Sequence, residues 1–208
     1  DPRFLGKRIR ADTVLFGSNE DREAFDLTQA GASFALTRRL TAHLSASVKM
    51  SGEWNRLRNV DLTKIEDITI SDNSLYKIGP SIIYDTRDDF INPGKGMLFL
   101  ASSEYSSEVV KENSFTKYNL GESIYYSPLE SLIFALGVRF GHIEPIRESD
   151  IPIQELFFIG GSQTVRGYSR DGLGPRDPTG TPLGGTDMAI LNLEMRFPIY
   201  KILHGVIF

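Results

Sequence analysis

Asp187-Met188-Ala189-Ile190-Leu191-Asn192-Leu193-Glu194-Met195-Arg196-Phe197 puts Ala189, Leu191, Leu193, Met195 and Phe197 on one side and Asn192, Glu194 and Arg196 on the other. A period of two is the geometry of a β-strand, whose successive side chains point to opposite faces. Residues 41–51 repeat the pattern, with Ala42, Leu44, Ala46, Val48 and Met50 against His43, Ser45, Ser47, Lys49 and Ser51. So do residues 132–140, where Leu132, Phe134, Leu136, Val138 and Phe140 oppose Ala135, Gly137 and Arg139. Weaker alternation covers about 4–15, 27–37, 75–87, 96–106 and 115–126, giving eight strands, and a ninth begins near Lys201.

The connections alternate in length. Short polar turns stand at Thr37 to Leu40, Ser127 to Glu130 and Pro198 to Lys201, with a slightly longer one at Asp88 to Gly94. Longer charged loops are expected at Ser18 to Ala24, Gly52 to Asn73, Ser106 to Asn113 and 142–185. Short turns on one rim and long loops on the other are the pattern of an up-and-down antiparallel transmembrane β-barrel, apolar residues facing lipid and polar residues facing the lumen. A strand of about 9–11 residues spans a bilayer when tilted, whereas soluble strands average about five or six. The polar faces carry Gly, Ser, Asn, Lys, Arg and Glu, which do not fill a dry core. Tyr76, Tyr84, Tyr125, Tyr126, Phe197 and Tyr200 gather toward strand ends as interfacial girdles would.

Composition narrows the alternatives. Only 40% of the 208 residues are hydrophobic, and no run approaches the roughly 18 consecutive apolar residues of a membrane helix. The absence of cysteine excludes disulfides and thiolate metal sites. A net charge of -4, from 23 basic and 27 acidic residues spread along the chain, offers no basic stripe, so nucleic acid is not expected as a partner. The start at Asp1 without Met, and the stop inside the strand-like Leu203 to Phe208, lead us to expect part of a longer protein.

The loop 142–185 lacks periodicity, and a run that long is uncommon in a compact domain unless it is functional or disordered. Within it stand Gly160-Gly161-Ser162 and Val165-Arg166-Gly167-Tyr168. Two further stretches accompany it: Tyr84-Asp85-Thr86-Arg87-Asp88 with Pro93-Gly94-Lys95-Gly96, and Asn192 to Ile199. With the opening Asp1 to Gly6, this ordered set resembles the BamA-type outer-membrane assembly factors, a superfamily that also includes TamA and the two-partner-secretion transporters. Family members have sixteen strands, and the resemblance implies a partial barrel over residues 1–208, about strands 5 to 13. It places the signature loop between two strands and leaves the remaining strands and the POTRA domains outside the sequence.

The resemblance implies a non-enzymatic factor of the bacterial outer membrane that folds and inserts β-barrel proteins. Its partners would be unfolded outer-membrane clients, the lipid bilayer and accessory assembly lipoproteins, with no cofactor. A secretion pore of the TamA or two-partner kind and the barrel anchor of a patatin-like lipase are the alternatives. From the residues themselves, an arginine folded into a lumen needs carboxylate or carbonyl partners, and its planar fork suits a carboxylate. Glu194 is the acid on the central polar face of the following strand, so we expect Arg166 to pair with it and pin the loop. The resemblance implies a second acidic partner in a Gly-x-x-Phe-x-Asp pattern, of which Gly205 to Phe208 match the start. Tyr168 is expected to pack on the inner wall. Asp85, Arg87, Asp88 and Gly94 read as a structural cap at a periplasmic turn.

Catalytic patterns are not found. Gly160 to Thr164 lacks the second glycine of a nucleophile elbow, and His43, His142 and His204 have no metal-ligand spacing. Gly172-Leu173-Gly174 lacks the third glycine of a dinucleotide loop, and Asp171, Asp177 and Asp187 form no calcium loop.

Overall fold

The computed structural model describes residues 9–60, 68–109, 113–129, 131–200 and 203–208. In chain order the strands are β1 (Ile9–Asp21), β2 (Asp26–Arg39), β3 (Leu44–Arg58), β4 (Ile68–Thr69), β5 (Asn73–Asp85), β6 (Gly96–Glu108), β7 (Ser114–Leu129), β8 (Leu132–Pro145), β9 (Ile151–Pro152), β10 (Asp187–Tyr200) and β11 (Leu203–Ile207). Nine of them form one antiparallel sheet in the order β1-β2-β3-β5-β6-β7-β8-β10-β11, each pairing with its sequence neighbour in the sheet. The other two, β4 and β9, make a short parallel pair, Ile68 with Ile151 and Thr69 with Pro152. Apart from one short 3-10 turn, the described residues are all-β, and the main sheet is antiparallel. The start of the first expected strand, and Glu130 and Lys201 in two expected turns, lie outside the described residues.

The apolar members of each alternating run face outward. Leu191 is 64% exposed and Leu193 65%, and Val48, Met50, Ile78, Ile82, Phe134 and Phe140 are exposed likewise. A contiguous apolar surface on this scale is not sustained in water, and lipid is the solvent that fits it. Tyr76, Tyr84, Tyr126 and Tyr200 lie exposed on the strands, in keeping with girdles. Tyr125 does not belong with them. Adjacent strand residues take opposite faces, and Tyr125 lies inward with the Arg196 guanidinium 5.9 Å from its ring centroid.

On the long-loop rim the strands run further than their alternation indicated. The loop expected at Ser18 to Ala24 is a four-residue turn, because β1 continues to Asp21, which pairs with Asp26. The turn closes through Arg22 N–H donating to the Phe25 carbonyl at 3.0 Å. Likewise β3 continues through Gly52-Glu53-Trp54-Asn55-Arg56-Leu57-Arg58, where Glu53, Asn55 and Leu57 are buried inward and Arg56 and Arg58 are exposed outward. Here polarity no longer reports the face, because the inner side meets packed protein rather than lumen water.

That packed protein is the hydrophobic core. Ala24, Phe25, Leu27, Leu57, Leu75, Phe115 and Ile143 from the strand ends and first turn bury against Ile151, Ile153 and Leu156 of the long loop. The concave face therefore holds a dry cluster at the loop rim, contrary to the wholly polar lumen read from sequence. Burying a side chain such as Phe115 or Ile153 contributes about 1.5–3 kcal/mol, so the cluster gives the loop a fixed base.

Candidate functional site: the loop folded into the concave face

The loop 146–186 leaves β8, crosses the concave face and returns to β10. Its first segment, the root, is a 3-10 turn at Ile153–Glu155. Glu155, 7% exposed at the side chain, takes the Lys77 ammonium at 2.6 Å. Its second oxygen lies 3.6 Å from Lys117. Lys117 also donates to the Glu155 carbonyl at 2.6 Å and sits 4.8 Å from the Phe157 ring centroid. Lys77 is shared with Glu53 at 2.7 Å. Burial pushes the Glu155 carboxyl up, but the two ammonium groups more than offset that and hold it below the usual carboxylate range.

Beside this cluster runs a ladder of amides. Gln29 donates to Asn55 at 2.9 Å, Asn55 to Asn73 at 3.1 Å, and Gln154 of the root to Asn73 at 2.9 Å. Residues of β2, β3, β5 and β7 thus converge on two consecutive loop residues. Sequence reasoning missed this anchor. The available signal was an acid inside an apolar run, Ile151 to Ile159, since a charge in such company is buried only when paired.

The tip, residues 160–170, lies against β8 and β10. Gly160 adopts φ +126°, and a Cβ there would meet the Ser169 carbonyl at 2.3 Å, so the turn requires glycine. Its N–H donates to Thr164 Oγ1 at 2.7 Å. The Thr164 carbonyl accepts from Arg139 and from Asn192, each at 3.1 Å. Gly161 N–H donates to the Tyr168 carbonyl at 3.1 Å. Gly167, at φ +88°, turns the chain immediately after Arg166. The Arg166 Nη1 donates to Glu194 Oε2 at 2.9 Å, the side chains being 48% and 16% exposed. The same guanidinium lies 4.8 Å from the Phe208 ring centroid. Val165 lines the cavity between tip and wall together with Gly167, Asn192 and Phe208. Tyr168 is 55% exposed. More than half of its surface is thus open, where the sequence led us to expect packing on the inner wall.

From the end of the tip and its flanks the loop reaches the other side of the sheet. Arg170 donates to the Asp21 carbonyl at 3.0 Å and contacts Glu20. Arg22 stacks 4.8 Å from the Phe158 ring centroid. Asp177 Oδ1 accepts from the N–H groups of Thr179 and Thr181, both at 2.9 Å. The loop therefore bridges β10 and the β1–β2 turn across the whole concavity.

The Asp85 and Arg87 side chains form a fork, Nε to Oδ1 at 3.0 Å and Nη2 to Oδ2 at 2.8 Å. Asp88 Oδ1 accepts from the N–H groups of Asp89, Gly94 and Lys95 at 3.0, 2.9 and 3.0 Å. The hydrogen bonds from Lys95 and Gly94 hold the Asp88 carboxyl below its usual range. These contacts are internal to the turn. The exception is Arg196 of β10, whose Nε takes Glu194 Oε1 at 2.5 Å while Nη1 donates to Asn92 Oδ1 at 3.1 Å.

Comparisons with known proteins agree with this architecture. The model of the Omp85 superfamily domain matches residues 1–208. An outer membrane protein assembly factor BamA from Nitratidesulfovibrio vulgaris is 31% identical over 112 residues, 53% of this chain and 14% of that protein. A sorting and assembly machinery component 50 homolog from Mus musculus is 26% identical over 145 residues, 68% of this chain and 30% of that protein. A SAM50-like protein from Schizosaccharomyces pombe is 24% identical over 181 residues, 80% of this chain and 38% of that protein. This chain thus spans well under half the length of these relatives. The crystal structure of BamA from Haemophilus ducreyi lacking POTRA domains 1–3 superposes with a TM-score of 0.82 at 18% identity, over 98% of this chain and 44% of that one. With a family model covering its full length and the fold to match, the chain belongs to the Omp85 superfamily.

Proposed function

We propose that this chain is the barrel portion of a BamA-type factor that folds and inserts β-barrel proteins into the bacterial outer membrane. The observation that carries this reading is the loop tip held by Arg166 and Thr164 on the concave wall of a sheet whose other face is apolar. Its partners would be unfolded outer-membrane clients, the bilayer and accessory assembly lipoproteins.

The work is positional rather than chemical. An incoming strand brings unsatisfied N–H and C=O groups toward lipid, at several kcal/mol each. A barrel that offers a pairing edge and disturbs the surrounding bilayer lowers that barrier. Arg166 serves as the latch that sets the loop's position in the lumen.

The test is Arg166→Ala in the full-length protein, reconstituted in vesicles with an unfolded porin as client. The variant barrel inserts, but protease cleavage near Gly172 rises and client assembly falls. Full assembly activity with unchanged cleavage would sink the proposal.

A further inference from the structure

Glu194 carries two cations on its two oxygens. Arg166 takes Oε2 at 2.9 Å and Arg196 takes Oε1 at 2.5 Å. A largely buried carboxylate stripped of its partner is strongly unfavourable, whereas one that keeps a second partner is not. Arg166 can therefore leave Glu194 without isolating its charge. The two arginines also differ in surroundings: Arg166 is 48% exposed on a loop, and Arg196 is 24% exposed on a strand.

Arg196 has a second attachment. Its Nη1 donates to Asn92 Oδ1 at 3.1 Å and lies 3.5 Å from the Pro93 carbonyl. Both belong to the turn between β5 and β6, on the rim opposite the loop's origin. That turn is internally rigid, with Asp89 Oδ1 accepting from Ile91 and Asn92, each at 2.7 Å. The turn also folds across the sheet, since a Cβ on Gly94 would lie 3.8 Å from Ile133 of β8.

We propose that Arg196 is a positioning residue for the loop: it shares Glu194 with Arg166 so that the tip exchanges between latched and released positions, and it couples that exchange to the 86–95 turn. With Arg166 gone, both Glu194 oxygens are open to the Arg196 fork, and a guanidinium that turns fully onto a carboxylate gives up Asn92. Release at the tip is thereby felt at the opposite rim. The inference rests on the latch reading of Arg166 given above.

Amide exchange by mass spectrometry, on the full-length protein in bilayer discs, tests this with three variants. Arg166→Gln speeds exchange in 160–168 about two- to fivefold, roughly the worth of a half-exposed ion pair, and speeds the turn to a lesser degree. Arg196→Gln speeds the turn about tenfold and slows the tip, because a departing Arg166 would then leave the Glu194 charge alone. Arg196→Lys keeps the charge on Glu194 and restores the tip, but as a point charge it leaves the turn fast.

Arg196→Gln speeding tip and turn together, with a lowered unfolding temperature, would make Arg196 a packing residue and overturn the proposal. A loosened tip in Arg166→Gln with an unchanged turn in Arg196→Gln overturns the role of Arg196 alone. An unchanged tip in Arg166→Gln sinks the latch, and the exchange with it.

Discussion

The root and the tip of the 146–186 loop use the same chemistry at different depths. At the root, Glu155 meets Lys77 and Lys117 with side chains 7%, 11% and 19% exposed, inside a hydrophobic cluster. At the tip, Arg166 meets Glu194 with the arginine 48% exposed. A buried ion pair is strongly destabilising to break, while a half-exposed one is screened and contributes little. The root is thus the costlier of the two contacts to break and the tip the cheaper.

The largest effect expected from that contrast is at the root. Glu155→Gln leaves the buried Lys117 ammonium facing a neutral amide while Lys77 keeps Glu53, and destabilises by about 3 kcal/mol, read by denaturant unfolding of the full-length protein. A loss below about 1 kcal/mol would mean the root is no firmer than the tip. Gly160→Ala comes next, since the φ of +126° and the 2.3 Å approach to the Ser169 carbonyl leave no room for a methyl group. About 1–3 kcal/mol of strain is expected. Faster amide exchange confined to 160–172 would mark the tip as a separate unit, and spread into 151–158 would erase the distinction.

Smaller still is the coupling between Arg166 and Glu194. A cycle of Arg166→Ala, Glu194→Gln and the double variant should give about 0.5–1 kcal/mol, discounted for the exposed arginine. Strict additivity would show that the two do not act as partners. The smallest effect is that of acid on the root. The Glu155 carboxyl is held below its ordinary 4.5 in the folded chain. Its contribution is complete above the unfolded value and disappears only as pH falls through the lower folded one. Acidification to about pH 5 should leave exchange in 151–158 unchanged, and a rise there would break the assignment of Glu155 as a held carboxylate.

Some of this was legible in residues alone. The outward set of β10 follows from Ala189, Leu191 and Leu193 alternating with Asn192 and Glu194, because lipid on one side and water on the other write opposite polarity onto one strand. The pairing of Arg166 with Glu194 could be reasoned from a guanidinium needing a carboxylate on the facing wall. The upper halves of β1 and β3 were not legible, since protein packs against their inner face and leaves Leu57 inside and Arg58 outside. The turn at 22–25 was mistaken for a longer loop for the same reason. Glu155, Lys77 and Lys117 lie far apart in sequence and share no motif, so the apolar run around Glu155 signals a buried acid but not which cations meet it.

By itself the sequence determined an antiparallel sheet with one lipid-facing side, its strand order, and a glycine-bearing loop with an arginine to be placed. These are consequences of local periodicity and turn chemistry, which each segment carries independently. The tertiary structure decided which side chains share a charge. Arg196 joins Glu194 to Asn92 across three neighbouring strand pairs, and Glu155 gathers lysines from β5 and β7. Such partnerships depend on sheet curvature and on where the loop comes to rest, which are properties of the whole assembly of strands.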